Sequence, residues 1–63
     1  MDIKTATEEA RKRYLPLEGI VAVSHDGARI IFYVETEADV GKVPRMFMGY
    51  PCTAVVIGRL TRL

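Results

Sequence analysis

Two runs of β-branched and apolar residues, Gly19-Ile-Val-Ala-Val-Ser-His25 and Ala28-Arg-Ile-Ile-Phe-Tyr-Val-Glu35, flank Asp26-Gly27. Asp-Gly between alternating hydrophobic positions is the strongest short-range signal for a β-hairpin, because a type I′ turn needs positive φ at both central residues. A two-residue loop at Asp26-Gly27 sets a register in which Val23 faces Ile30, Val21 faces Phe32 and Gly19 faces Val34. Ala22 then lies opposite Ile31, and Ile20 opposite Tyr33. Side chains alternate between the faces of a strand. One face thus carries Val21, Val23, Ile30, Phe32 and Val34 and is the face expected to receive helices. The other still displays Ile20, Ala22, Ile31 and Tyr33, where a solvated face would be polar.

Upstream, the pattern changes to a helical period. Thr5-Ala-Thr-Glu8 fits a capping box, and Ile3, Ala6, Ala10, Tyr14 and Leu17 form a thin apolar stripe, so a helix is predicted over Thr5–Tyr14, ended by Pro16. Thr36-Glu-Ala-Asp39 repeats the capping logic. A second short helix is expected to run to about Lys42, weakened by Gly41 and stopped before Pro44. Pro44 then opens a further turn through Arg45–Met48, with Gly49 as its C-terminal cap. Cys52–Leu63 reads as a third strand, interrupted at Gly58. The expected architecture is a single α+β domain over residues 1–63. It is a two-layer sandwich of order αββαβ, with a three-stranded sheet, helices on one face, and a crossover that makes the second and third strands parallel. Its core is expected to hold Val21, Val23, Ile30, Phe32 and Val34 with Ala6, Ala10, Tyr14, Val40 and Phe47.

The strand-and-glycine signposts carry two resemblances. Leu17-Glu-Gly-Ile-Val21 and Met48-Gly-Tyr50 resemble the positions that precede strands in heavy-metal-associated, ferredoxin-like domains. That family carries its metal on a Cys-x-x-Cys motif between a first strand and first helix. This chain has a single cysteine and no such strand, so the resemblance extends to topology and implies no metal carriage. Gly19–Val23, Ile30–Glu35, Val43-Pro44, Gly49-Tyr-Pro51 and Val55–Leu60 are also similar to a small prokaryotic domain of unknown function. That domain is also seen as a segment near the amino-terminal end of some trypsin-like peptidases. This second resemblance implies a module outside the catalytic triad.

Composition narrows the chemistry. At 63 residues the chain is at the small end of what folds alone, and such a domain buries only about 60% of its unfolded surface. One cysteine and one histidine allow neither an internal disulfide nor a four-ligand zinc site from one chain. Nine basic against eight acidic residues leave a net charge of +1, which argues against a dedicated nucleic-acid binder. The polar, acidic stretch Met1–Ala10 is not a secretion signal, and no apolar run approaches a membrane span of about 20 residues. The cytoplasm is the expected compartment.

Candidate chemistry is sparse. His25 beside the turn reads as a partly exposed flanking residue, without a nucleophile to serve. Arg11, Lys12, Arg13, Arg29, Arg45, Arg59 and Arg62, with Tyr14, Tyr33 and Tyr50, are read as solvated faces and edge charges instead of a stacking platform. The chain is therefore expected to be a non-enzymatic protein-interaction module without a cofactor. It is expected to form a homo-oligomer, most simply a homodimer, or to dock on a protein partner through Ile20, Ala22, Ile31, Tyr33, Leu60 and Leu63. The alternative is a small-ligand or soft-metal domain using Met46, Met48 and Cys52, since thioether and thiolate sulfurs suit monovalent copper.

Overall fold

In the computed structural model, which describes residues 2–58, a helix precedes two strands, a 3-10 helix and two more strands. Helix α1 spans Ile3–Tyr14, β1 Ile20–His25, β2 Ile30–Val34, the 3-10 helix Glu37–Lys42, β3 Met46–Phe47 and β4 Tyr50–Val56. The strands form a four-stranded mixed sheet of order β1-β2-β4-β3. The pairs β1–β2 and β3–β4 are antiparallel, and β2–β4 is parallel as the crossover requires.

The class is α+β, but the three-stranded αββαβ arrangement is corrected at two places. The second helix stays a six-residue 3-10 segment, as Gly41 and Pro44 leave it no room to lengthen. The expected helical turn over Arg45–Met48 is instead β3 and a tight turn. Met48 and Gly49 have φ of 51° and 88°, positive at both central residues, so Tyr50 folds back to pair with Phe47. This is the backbone pattern of a type I′ hairpin turn.

The pattern expected at Asp26-Gly27 is thus found at Met48-Gly49. In the first hairpin the Asp26 amide donates to the Arg29 carbonyl at 3.2 Å, and the central residues are Gly27 and Ala28. Gly27 has φ of 92°, and Ala28 is not in the positive region, as in a type II′ turn. Asp26 serves as the acceptor that closes the turn. Its Oδ1 accepts the Ala28 and Arg29 amides, each at 3.0 Å, and its Oδ2 accepts Arg29 Nε at 3.0 Å. The Ala28 amide leads in holding the Asp26 carboxyl down at about 2, with the Arg29 side chain next.

The register therefore moves by two: Val23 lies opposite Phe32, and His25 opposite Ile30. An even shift leaves every side chain on its original face. The alternation then breaks at a bulge between Ile20 and Ala22, which places Ile20 opposite Val34. Ile20, expected on the second face, is consequently buried in the core, and Val21 is half-buried.

Helix α1 begins two residues before the expected Thr5. Asp2 is its cap and accepts the Thr5 amide at 2.9 Å, which places Thr5 inside the first turn. Arg11, Lys12 and Arg13 occupy the last turn, where positive charge favours the helix dipole. Ala6 and Ala10 are fully buried; their small side chains let the helix approach the sheet closely. Tyr14 meets Phe32 edge-on at 5.2 Å and Phe47 at 5.8 Å. The core is Ala6, Ala10, Ile20, Val23, Ile30, Phe32, Val34 and Phe47, with Ile3, Tyr14, Val43, Tyr50 and Cys52 packed against it. Val40, expected inside, is 39% exposed; Val43 takes the inner position, because the 3-10 helix turns its side chains through a tighter angle than an α-helix.

A polar clasp ties the start of β1 to the 3-10 helix. Asp39 accepts the Thr36 amide at 3.2 Å, the Thr36 hydroxyl at 3.0 Å and Lys42 Nζ at 2.9 Å. Lys42 also donates to the Glu18 carbonyl. Lys42 first, then Thr36, lowers the Asp39 pKa. Gly19 lies under this clasp with φ of 93°, and a Cβ placed on it would lie 2.2 Å from Asp39 Oδ1.

Phe32→Ala should destabilise the domain by about 3–5 kcal/mol, the usual cost of truncating a buried phenylalanine. Urea denaturation is expected to find it largely unfolded, and unchanged melting would contradict the packing above.

Gly19→Ala should cost clearly more than Gly27→Ala. Both force alanine to positive φ, at about 1–2 kcal/mol. Nothing lies within 4 Å of the Cβ direction at Gly27, whereas Gly19 meets the Asp39 carboxylate. Equal midpoints for the two variants would mean that the clasp contributes nothing.

Candidate functional site

The pairing register sorts every strand residue onto one of two faces. On β2 and β4, Ile30 pairs with Cys52, Phe32 with Ala54 and Val34 with Val56. These positions share the α1 side, where the core cluster sits. The alternate pairs, Ile31 with Thr53 and Tyr33 with Val55, occupy the opposite face together with Ala22 and Ser24 of β1. Met46 and Pro51, paired across β3 and β4, extend that face, and Ile57 follows Val55 by two. The buried cluster draws its strand residues from the α1 side.

Among the described residues no helix covers this second face, which is mostly apolar and carries no charged strand residue between its ends. Ala22, Ile31 and Tyr33 are half-buried, whereas Met46, Val55 and Ile57 are exposed. Of the residues expected at an interface, the structure therefore brings Ala22, Ile31 and Tyr33 onto one surface and removes Ile20 to the core. Leu60 and Leu63 lie outside the described residues. Sequence reasoning placed the last strand but missed that its odd-numbered residues Thr53, Val55 and Ile57 join the same face. The signal was present in the expected parallel pairing of that strand with the second, which carries a period of two across both.

The remaining candidates do not converge. Met46 sits on the uncovered face, Met48 in the turn, and Cys52 on the core side, so the three sulfurs share no surface. The Cys52 sulfhydryl lies 3.7 Å from the Tyr50 carbonyl, and burial pushes its pKa up. His25 Nδ1 accepts the Gly27 amide at 3.3 Å. It lines an open groove of about 220 Å³ with Lys4, Thr7, Glu8 and Arg11. Among the described residues there is no cluster of three His, Cys, Asp or Glu side chains suited to a metal.

Of the basic and aromatic residues, Arg11, Arg13, Arg29 and Tyr14 are engaged elsewhere, and Arg59 and Arg62 lie outside the described residues. Arg11 Nε donates to the Val23 carbonyl at 3.0 Å, Arg13 lies over the Phe47 ring at 5.5 Å, and Arg29 pairs with Asp26. The Tyr14 ring packs into the core against two phenylalanines. Among the described residues no helix is long and apolar enough to cross a membrane. No protein family, curated protein or solved structure matches the chain.

The raised Cys52 pKa has a chemical consequence, because the thiolate is the nucleophile and the metal ligand. The rate of alkylation by iodoacetamide should keep rising with pH beyond the point where a free thiol levels off, and should revert to ordinary behaviour in urea. A plateau near neutral pH would instead mark an activated thiol.

Proposed function

We propose that this chain is a protein-interaction module that acts by self-association and not by catalysis, with a homodimer as its working form. The observation that carries this reading is the uncovered sheet face made by Ala22, Ile31, Tyr33, Thr53, Val55 and Ile57, together with Met46 and Pro51. Contiguous apolar patches of this kind mark contact surfaces, whereas single exposed apolar residues are ordinary. Two-fold pairing is the commonest arrangement for a soluble homo-oligomer. On this face Met46, Val55 and Ile57 are 57%, 37% and 41% exposed, and burying side chains of this size contributes about 1.5–3 kcal/mol each when complete.

Sedimentation at micromolar concentration should find a dimer. Val55→Asp, at the centre of the exposed stretch, should shift it to monomer and lower its melting only by what the lost association supplied, leaving a folded chain, since it places a charge in the contact and not in the core. A wild-type monomer throughout that range would overturn the reading.

A further inference from the structure

We propose that the dimer forms by antiparallel pairing of β4 with β4 of a second copy, so that the two sheets join edge to edge. The inference rests on the self-association reading and names its contact.

The sheet has two outer edges, and they are treated differently. β1 is one edge. Its bulge lies between Ile20 and Ala22, and the Val23 carbonyl is capped by Arg11 Nε at 3.0 Å. Bulges and inward-reaching charges are the ordinary ways an edge is protected from strand addition. The other edge belongs to β4, and β3 covers only its beginning. β3 pairs with Tyr50 and Pro51, and the Cys52 amide donates to the Arg45 carbonyl at 2.9 Å.

Beyond Cys52 the direction of the backbone groups follows from two hydrogen bonds. The Ile57 amide donates to the Val34 carbonyl at 2.9 Å, so odd-numbered residues at this end of β4 bond to β2. The Cys52 amide points the other way. Alternation along the strand then aims the amides and carbonyls of Ala54 and Val56 outward. Among the described residues no strand pairs with this side of Thr53–Val56.

The segment suits a copy of itself. Thr53-Ala-Val-Val-Ile57 contains no charge and no proline, so self-pairing sets no like charges opposite each other. Its β-branched residues favour a strand. β3 also limits the register. A partner strand cannot run past Cys52, and a pairing centred on Val55 meets that limit, with Ala54 opposite Val56 of the partner subunit and the reverse. Those two pairs exchange four backbone hydrogen bonds, and the two copies of Val55 form the close, non-hydrogen-bonded pair on the two-fold axis. Main-chain bonding of this kind is the basis of strand addition at open edges. The pairing brings Thr53, Val55 and Ile57 of each uncovered face against their counterparts in the second copy, and the rest of the two faces lies side by side as one surface.

The test uses three variants of the full chain. Val56→Pro removes an outward amide that β2 does not use, as proline is tolerated on an edge strand with its nitrogen toward solvent. It should sediment as monomer. Ile31→Asp alters the uncovered face away from the edge and should remain dimeric. Val55→Cys in a Cys52→Ala background should cross-link to a covalent dimer with oxidised glutathione, since a close antiparallel pair falls within disulfide reach. This last measurement decides the matter even where Val56→Pro fails to fold. A dimer that resists Val56→Pro, dissociates on Ile31→Asp and fails to cross-link at Val55 meets face to face. That result overturns the edge pairing and leaves self-association standing. A wild-type monomer overturns both.

Discussion

One helix has to cover a four-stranded sheet, and the limits of that single contact govern the rest of the molecule. An α-helix with its side chains is about 10–12 Å across, and strands lie about 4.8 Å apart, so α1 spans roughly two strands on one face. It packs chiefly against β1, with Ala6, Ala10, Val23 and Phe32 in one buried cluster, and Tyr14 reaches across to Phe32 and Phe47. The far end of β4 falls beyond its reach. Val56 faces the α1 side yet stays 44% exposed. The opposite face receives nothing from the helix at all. The apolar surface on which the functional reading stands is thus a direct result of having too little helix for the sheet.

The two ends of the sheet manage this shortage differently. At the start of β1, the Asp39–Lys42 clasp closes over Gly19, and the Gly19 carbonyl accepts the Glu35 amide at 2.9 Å. Side chains there do the work that a longer helix would otherwise do, and the bulge turns Ile20 inward to add apolar bulk under it. At β4 no such device is found among the described residues. Met48 accepts a left-handed conformation so that β3 can fold back, yet β3 is only two residues long. Pro44 limits it on one side and the turn on the other.

Much of this was readable in the residues. The apolar alternation located β1, β2 and β4, and the helical crossover expected after Val34 implied the parallel pairing. What escaped were features decided by local hydrogen bonding. Asp-Gly signals a turn equally well with Asp26 at its centre or at its corner, and the Asp26 carboxylate, by accepting three hydrogen bonds around the loop, selects the corner. A helical reading of Arg45–Met48 rested on Pro44 and Gly49, but the same two residues also frame a hairpin. Ile20 was misplaced because a bulge adds one residue on one strand and reverses the face of everything beyond it, and no residue in Ile20-Val-Ala22 marks that insertion.

The size of the domain connects the uncovered surface to its stability. A chain of 63 residues with one cysteine has no covalent staple, and domains this small commonly complete their burial by associating. Phe32, Ile30 and Val34 are its largest fully buried side chains, a modest set on which to hold a sheet together. An edge-paired dimer adds backbone hydrogen bonds and apolar burial at the end of the sheet that α1 leaves bare. A contact that only the folded chain can make stabilises folding by mass action. In this molecule the exposed sheet surface and the small core have the same origin, so the proposed association would be linked to folding through β4.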